Sequence, residues 1–192
     1  MTSQDVLDFW FGPQDGPEYG KARREWFVKD AAFDAQIRAR FGALIDQAIN
    51  GGLREWDVEG ARGVLARIIV LDQFTRNAFR DTPRSFEGDV LALGAAQKLV
   101  EFGADRELLP VECWFAYMPF EHSEDGAMQE KSVTLFTALS EEQPGFEEAL
   151  DYAHRHRGVI ARFGRFPHRN EILGRNSTEE EVEFLKQPGS RF

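Results

Sequence analysis

The chain of 192 residues has one cysteine, Cys113. No internal disulfide can form, and its place in the apolar run CWFAYM suits a buried thiol rather than a reactive one. Runs of transmembrane length are missing too, and the opening MTSQDVLDFWFG holds no basic stretch followed by a signal-length apolar core. The expectation is a soluble cytoplasmic protein with no membrane partner. Basic charge is also short: 23 Lys and Arg stand against 33 Asp and Glu, a net charge of -10. A general nucleic-acid binder needs a broad basic face, so that class is excluded. Alternation of period two is absent, as are Gly-rich phosphate loops, GxSxG, HExxH and CxxC patterns. Neither a metal nor a cofactor is expected.

What is present is apolar residues at helical spacing. With 42% hydrophobic and 12% aromatic residues, the chain can bury a substantial core. No linker divides it, so residues 1–192 read as a single all-α domain of about eight to ten helices, paired by short turns into antiparallel hairpins.

Ser3 is the expected cap of a first helix through Val6, Leu7, Phe9 and Trp10, stopped by Gly12-Pro13. A second helix carries Trp26 and Phe27. After Asp30 the stripe Phe33, Ile37, Phe41, Leu44, Ala48 predicts a third, with Gly51-Gly52 as its stop.

The most hydrophobic helix spans about Glu59 to Asn77. Its last turns put Asp72, Gln73, Arg76 and Asn77 in line with core positions, which requires a hydrogen-bonded network; Asp72 and Arg76, at i,i+4, can pair. Ser85 is the expected cap of a helix with the stripe Leu91, Ala95, Leu99 and Phe102. Pro110 suits the first turn of the next, and Pro119 should break it. Ser123 should cap a helix with Asp125, Met128, Ser132, Leu135 and Leu139 on one face. A long helix from Phe146 to about Phe163 follows, with His156 replacing an apolar residue in the stripe Ala149, Ala153, Ile160, Phe163. Ser177 and Glu180 read as a capping box for a last helix, and the glutamates from Glu179 to Glu183 as its first turn and solvated face.

One stretch inverts the charge of the chain. From His154 to Arg175 there are six arginines and three histidines against one acid, Glu171. Guanidinium groups need carboxylates, carbonyls or an anionic ligand.

The motifs DFWFG, LDQFTRNAFRDTP, MPFEHSED and FGRFPHRNEILGRNSTEEE, with FLKQPGSRF at the end, resemble the bacterial domain-of-unknown-function family numbered 924. The resemblance spans nearly the whole chain. It implies a tetratricopeptide-like helical fold and brings no activity or catalytic residue with it.

The sharper functional reading gathers three polar patches into one pocket: Asp72, Arg76 and Asn77; Glu121, His122 and Asp125; His156, Arg165, His168 and Arg169. Glu121, His122, His156 and His168 are its acid–base candidates. Asp72, Arg76, Asn77, Asp125, Arg165 and Arg169 are its ligand-binding candidates, for a small anionic molecule. The plainer reading pairs the same groups across helix ends, Arg165 or Arg169 with Glu121 or Asp125. The protein would then be an interaction scaffold for a protein partner.

Overall fold

In the computed structural model, which describes residues 1–191, the first helix is capped by Thr2 rather than by the expected Ser3. Thr2 Oγ1 accepts from Asp5 N at 3.2 Å and Asp5 returns a bond to Thr2 N, a reciprocal cap on α1 (Ser3–Phe11). Ser3 is buried instead, bonded to Glu59. The described residues are all-helical, with nine α-helices joined by 3-10 turns and loops and no strand.

They gather into two compact units, one of residues 1–80 and 84–119, the other of 81–83 and the described residues from Phe120 onward. The first unit is built on aromatic rings. Trp10 lies edge-on to Phe115 at 5.4 Å and to Phe74 at 5.7 Å, and Phe41 meets Phe74 at 4.6 Å. Such pairs add about 1 kcal/mol each to the area they bury.

Helix α2 (Ala31–Ile49) follows its predicted course. Asp30 caps it, and Phe33, Ile37, Phe41, Leu44 and Ala48 are all buried. The second predicted helix does not form: Arg24–Trp26 is a single 3-10 turn. Its residues serve α1, because Arg23 and Trp26 donate to Trp10 O, a carbonyl in the last turn of that helix.

The central helix has three parts that run on without a break: α3 (Ala61–Ile68), a π-helical stretch (Ile69–Phe74) and α4 (Thr75–Ala78). The widened turn puts Asp72 and Gln73 side by side in the core. Helix α5 (Asp89–Glu101) starts later than Ser85 would have it, since Ser85 belongs to a separate 3-10 turn. Its buried face is Ala92, Ala95, Ala96 and Leu99, which leaves Phe102, predicted to be inside, 79% exposed. α6 (Pro110–Glu121) continues through Pro119, so the expected break comes two residues later.

In the second unit α7 (Gly126–Glu142) and α8 (Glu147–Phe163) form a hairpin over a four-residue turn, and α9 (Glu179–Phe184) follows a long, well-bonded connection. Asp125 caps α7, accepting from Ala127 N at 2.8 Å and Met128 N at 3.1 Å. The buried face of α7 is therefore Gln129, Ser132, Phe136 and Leu139. Gly164, at φ 67°, ends α8 as predicted. Thr178 with Glu181 makes the capping box of α9, one residue beyond the expected Ser177 and Glu180.

Two glycines of α5 and its cap separate steric from conformational cost. A Cβ on Gly88 would lie 2.0 Å from Leu71 O, whereas one on Gly94 would meet nothing within 4 Å. Gly88→Ala should destabilise by about 3 kcal/mol, and Gly94→Ala should stabilise by about 0.5 kcal/mol. Urea unfolding of the two variants measures both, and equal effects would refute the close approach at Gly88.

Candidate functional site

The polar candidates of the first unit form an internal lock. Asp72 is fully buried; its carboxylate takes Arg76 Nη1 at 3.0 Å and Gln73 Nε2 at 2.6 Å. Arg76 also reaches Asp89 with two bonds, at 2.8 and 3.1 Å. Burial pulls the Arg76 pKa down, but Asp72 and Asp89 outweigh it and hold the group above its ordinary value. Asn77 donates to Asp34, which also takes Arg80 through two bonds of 2.9 Å. The predicted i,i+4 pair of Asp72 and Arg76 is thus present, as part of a larger network.

The other candidates belong to the second unit, where arginines of the basic stretch find carboxylates both near and far in sequence. Arg165 binds Glu181 through two bonds, at 2.7 and 2.8 Å. This corrects the expected solvated role for that glutamate, which is only 2% exposed. The Arg165 bonds, with Thr178 N and Asn170 adding theirs, pull the Glu181 carboxyl down to about 2. Arg175 binds Glu124 through bonds of 2.7 and 3.0 Å, and Glu124 also accepts from Phe166 N at 2.7 Å. Arg169 donates to His122 O at 3.0 Å and lies 4.5 Å above the Phe166 ring. Neither Arg165 nor Arg169 takes the Glu121 or Asp125 partner expected of it. Asp125, predicted to face the core, is exposed because its carboxylate is used as the cap of α7.

Glu121 and His156 do meet. Glu121 Oε1 lies 2.9 Å from His156 Nδ1, and both side chains are at most 5% exposed. Nδ1 is also 2.8 Å from Tyr152 O. A carbonyl oxygen can only accept, so Nδ1 carries the hydrogen and Nε2 is the nitrogen able to take a proton. The His122 ring is 6.3 Å from the His156 ring, and Phe166 stands edge-on to His156 at 5.5 Å. The His168 ring is 5.6 Å from that of Phe166.

Two residues of this neighbourhood were not among the predicted site residues. Gln129 Nε2 donates to Glu121 O and Ser123 O, each at 2.7 Å, and so satisfies carbonyls at the end of α6. With the amide nitrogen committed, Gln129 Oε1 is buried without a partner, as are Glu121 Oε2 and Ser132 Oγ. The signal for Gln129 was its spacing from Ser132 and Phe136, hidden by taking Asp125 as the start of the buried stripe. Gln129 also lines a hollow of about 190 Å³ with Glu124, Glu130, Arg157, Ile160 and Gly164.

Burial lowers the His168 pKa to about 3, from an ordinary 6.5, and the charges of Arg169, His156 and Arg191 add to the effect. The unfolded chain takes up this proton below about pH 6.5 and the folded chain does not. The contribution is therefore intact above pH 6.5 and is lost progressively as the pH falls toward 3. Urea unfolding at pH 7.5 and pH 5 should show wild type losing more stability than His168→Gln; an equal loss in the two would contradict a histidine kept neutral by folding.

Comparison with known proteins attaches no activity to this geometry. The family described as "Bacterial protein of unknown function (DUF924)" matches residues 6–189. A solved structure of a protein of unknown function from Agrobacterium tumefaciens is 38% identical, covers 96% of each chain and superposes with a TM-score of 0.81. No curated protein matches the chain.

Proposed function

We propose that this chain, which belongs to the bacterial DUF924 family of unknown function, is a small-molecule enzyme whose proton acceptor is His156, oriented by Glu121. The carrying observation is the 2.9 Å contact between Glu121 Oε1 and His156 Nδ1, buried beside oxygens that have no partner. A carboxylate behind Nδ1 fixes the ring and favours the imidazolium formed when Nε2 takes a proton, the same relation that sets up a catalytic histidine in acyl-transfer enzymes. Glu121 is a positioning residue in this reading. The arginines expected to hold an anion are largely engaged, Arg165 by Glu181 and Arg76 by Asp72 and Asp89.

A purely structural pair would contribute stability and nothing else. The test is thermal unfolding of wild type and His156→Gln against a panel of small metabolites, since a ligand raises Tm by an amount set by RT ln(1 + [L]/Kd). At least one compound should raise the wild-type Tm, with the shift lost in the folded variant. A panel without a hit, or equal shifts in both proteins, would overturn the proposal.

A further inference from the structure

We infer that the ligand of this site is a small protonated amine, held by the oxygens of Glu121, Gln129 and Ser132. The inference rests on the reading of Glu121 and His156 as a functional pair and adds the chemical class of what they bind. Three buried atoms carry it: Glu121 Oε2, Gln129 Oε1 and Ser132 Oγ, none of which has a hydrogen-bond partner.

The first two are acceptors. An ionised carboxylate has no hydrogen to give, and the orientation of the Gln129 amide is fixed by the carbonyls of Phe120, Glu121 and Ser123 in front of its nitrogen. Ser132 stands one turn along α7 from Gln129, on the same buried face. What is left over is a demand for donors. Leaving such acceptors unmet in the interior is costly, and a bound group with several N–H bonds meets that demand directly.

Charge points the same way. Glu124 is matched by Arg175 and Glu130 by Arg157, while Glu121 has neither arginine nor lysine and is paired only with the imidazole of His156. A buried carboxylate of this kind favours a cationic guest over an anionic one. The hollow lined by Gln129, about 190 Å³, has room for a molecule of a few heavy atoms; the charges on its wall, Glu124, Glu130 and Arg157, are already paired, which leaves the Glu121 carboxylate as the charge without a cationic side chain. An anion would meet a carboxylate and an amide oxygen instead of donors.

The experiment is a ¹⁵N-labelled NMR titration of the full chain with methylammonium and with ethanolamine, and separately with acetate and phosphate, at constant ionic strength. The amines should move the Gln129 side-chain, Ser132 amide and His156 ring signals along saturable curves, and the anions should not. Ser132→Ala should weaken ethanolamine about fivefold, the loss of one neutral hydrogen bond. Glu121→Gln should weaken it about tenfold or more, the loss of a charge-assisted one. Saturable binding of acetate or phosphate at these signals, with none by the amines, would overturn the inference and leave the Glu121–His156 reading standing. Silence from all four probes, in a well-dispersed spectrum, would overturn the inference; a metabolite panel that also gave no hit would take the functional pair with it. Amine binding unchanged in folded Ser132→Ala and Glu121→Gln would overturn it as well.

Discussion

A helix that ends inside a protein must give its last carbonyls new donors, and at α6 the donor is a side chain of the following helix. Gln129 Nε2 reaches Glu121 O and Ser123 O at 2.7 Å each. That cap ties the end of α6, two residues past Pro119, to α7 and holds the backbone from which the Glu121 side chain extends. It also determines what the amide has left to offer. With the nitrogen used, only an oxygen remains, and the buried surroundings of Glu121 become rich in acceptors.

The basic stretch after α8 is held by a comparable balance. Arg165, Arg169 and Arg175 follow α8 closely enough to repel each other without carboxylates between them, and Glu124 and Glu181 supply these to Arg175 and Arg165, from the turn before α7 and from the first turn of α9. Both carboxyls lie below their ordinary pKa, Glu124 against the cost of its own burial and Glu181 through the Arg165 bonds first of all. Arg175 alone bridges Glu124, Asn170 and Phe166 O. The charge inversion seen in the sequence is thus a latch that orders an irregular connection. His156 and His168 sit against Phe166, which the latch itself positions through its backbone N–H.

Period-based reading recovered the features that depend on period. The stripe of α2, the central apolar helix and the polar residue His156 in an apolar row of α8 were legible because burial follows helical spacing. Features decided by a choice between neighbours were not. Ser123 and Asp125 are both good caps two residues apart, and Ser177 and Thr178 are adjacent; in each pair the carboxyl or hydroxyl that reaches the backbone donors was settled by the incoming chain. Choosing the wrong cap of α7 rotated its inward face, and Gln129 was lost from view. The π-helical stretch was equally invisible: Asp72 and Gln73 stood out as polar residues in core positions, but nothing in the spacing of Ile69–Phe74 announces a widened turn. Partners distant in sequence, such as Glu124 for Arg175, leave no local trace at all.

The role of His156 is decided by one hydrogen. Tyr152 O and Glu121 Oε1 both face His156 Nδ1, so that nitrogen should be the protonated one in the neutral ring. Multiple-bond ¹H–¹⁵N spectra of His156 at neutral pH distinguish the two tautomers directly. A pyrrole-type Nδ1 with a pyridine-type Nε2, changed in Glu121→Gln, is the expected result; a ring whose proton sits on Nε2, or one indifferent to Glu121→Gln, would contradict the proposed acid–base pair.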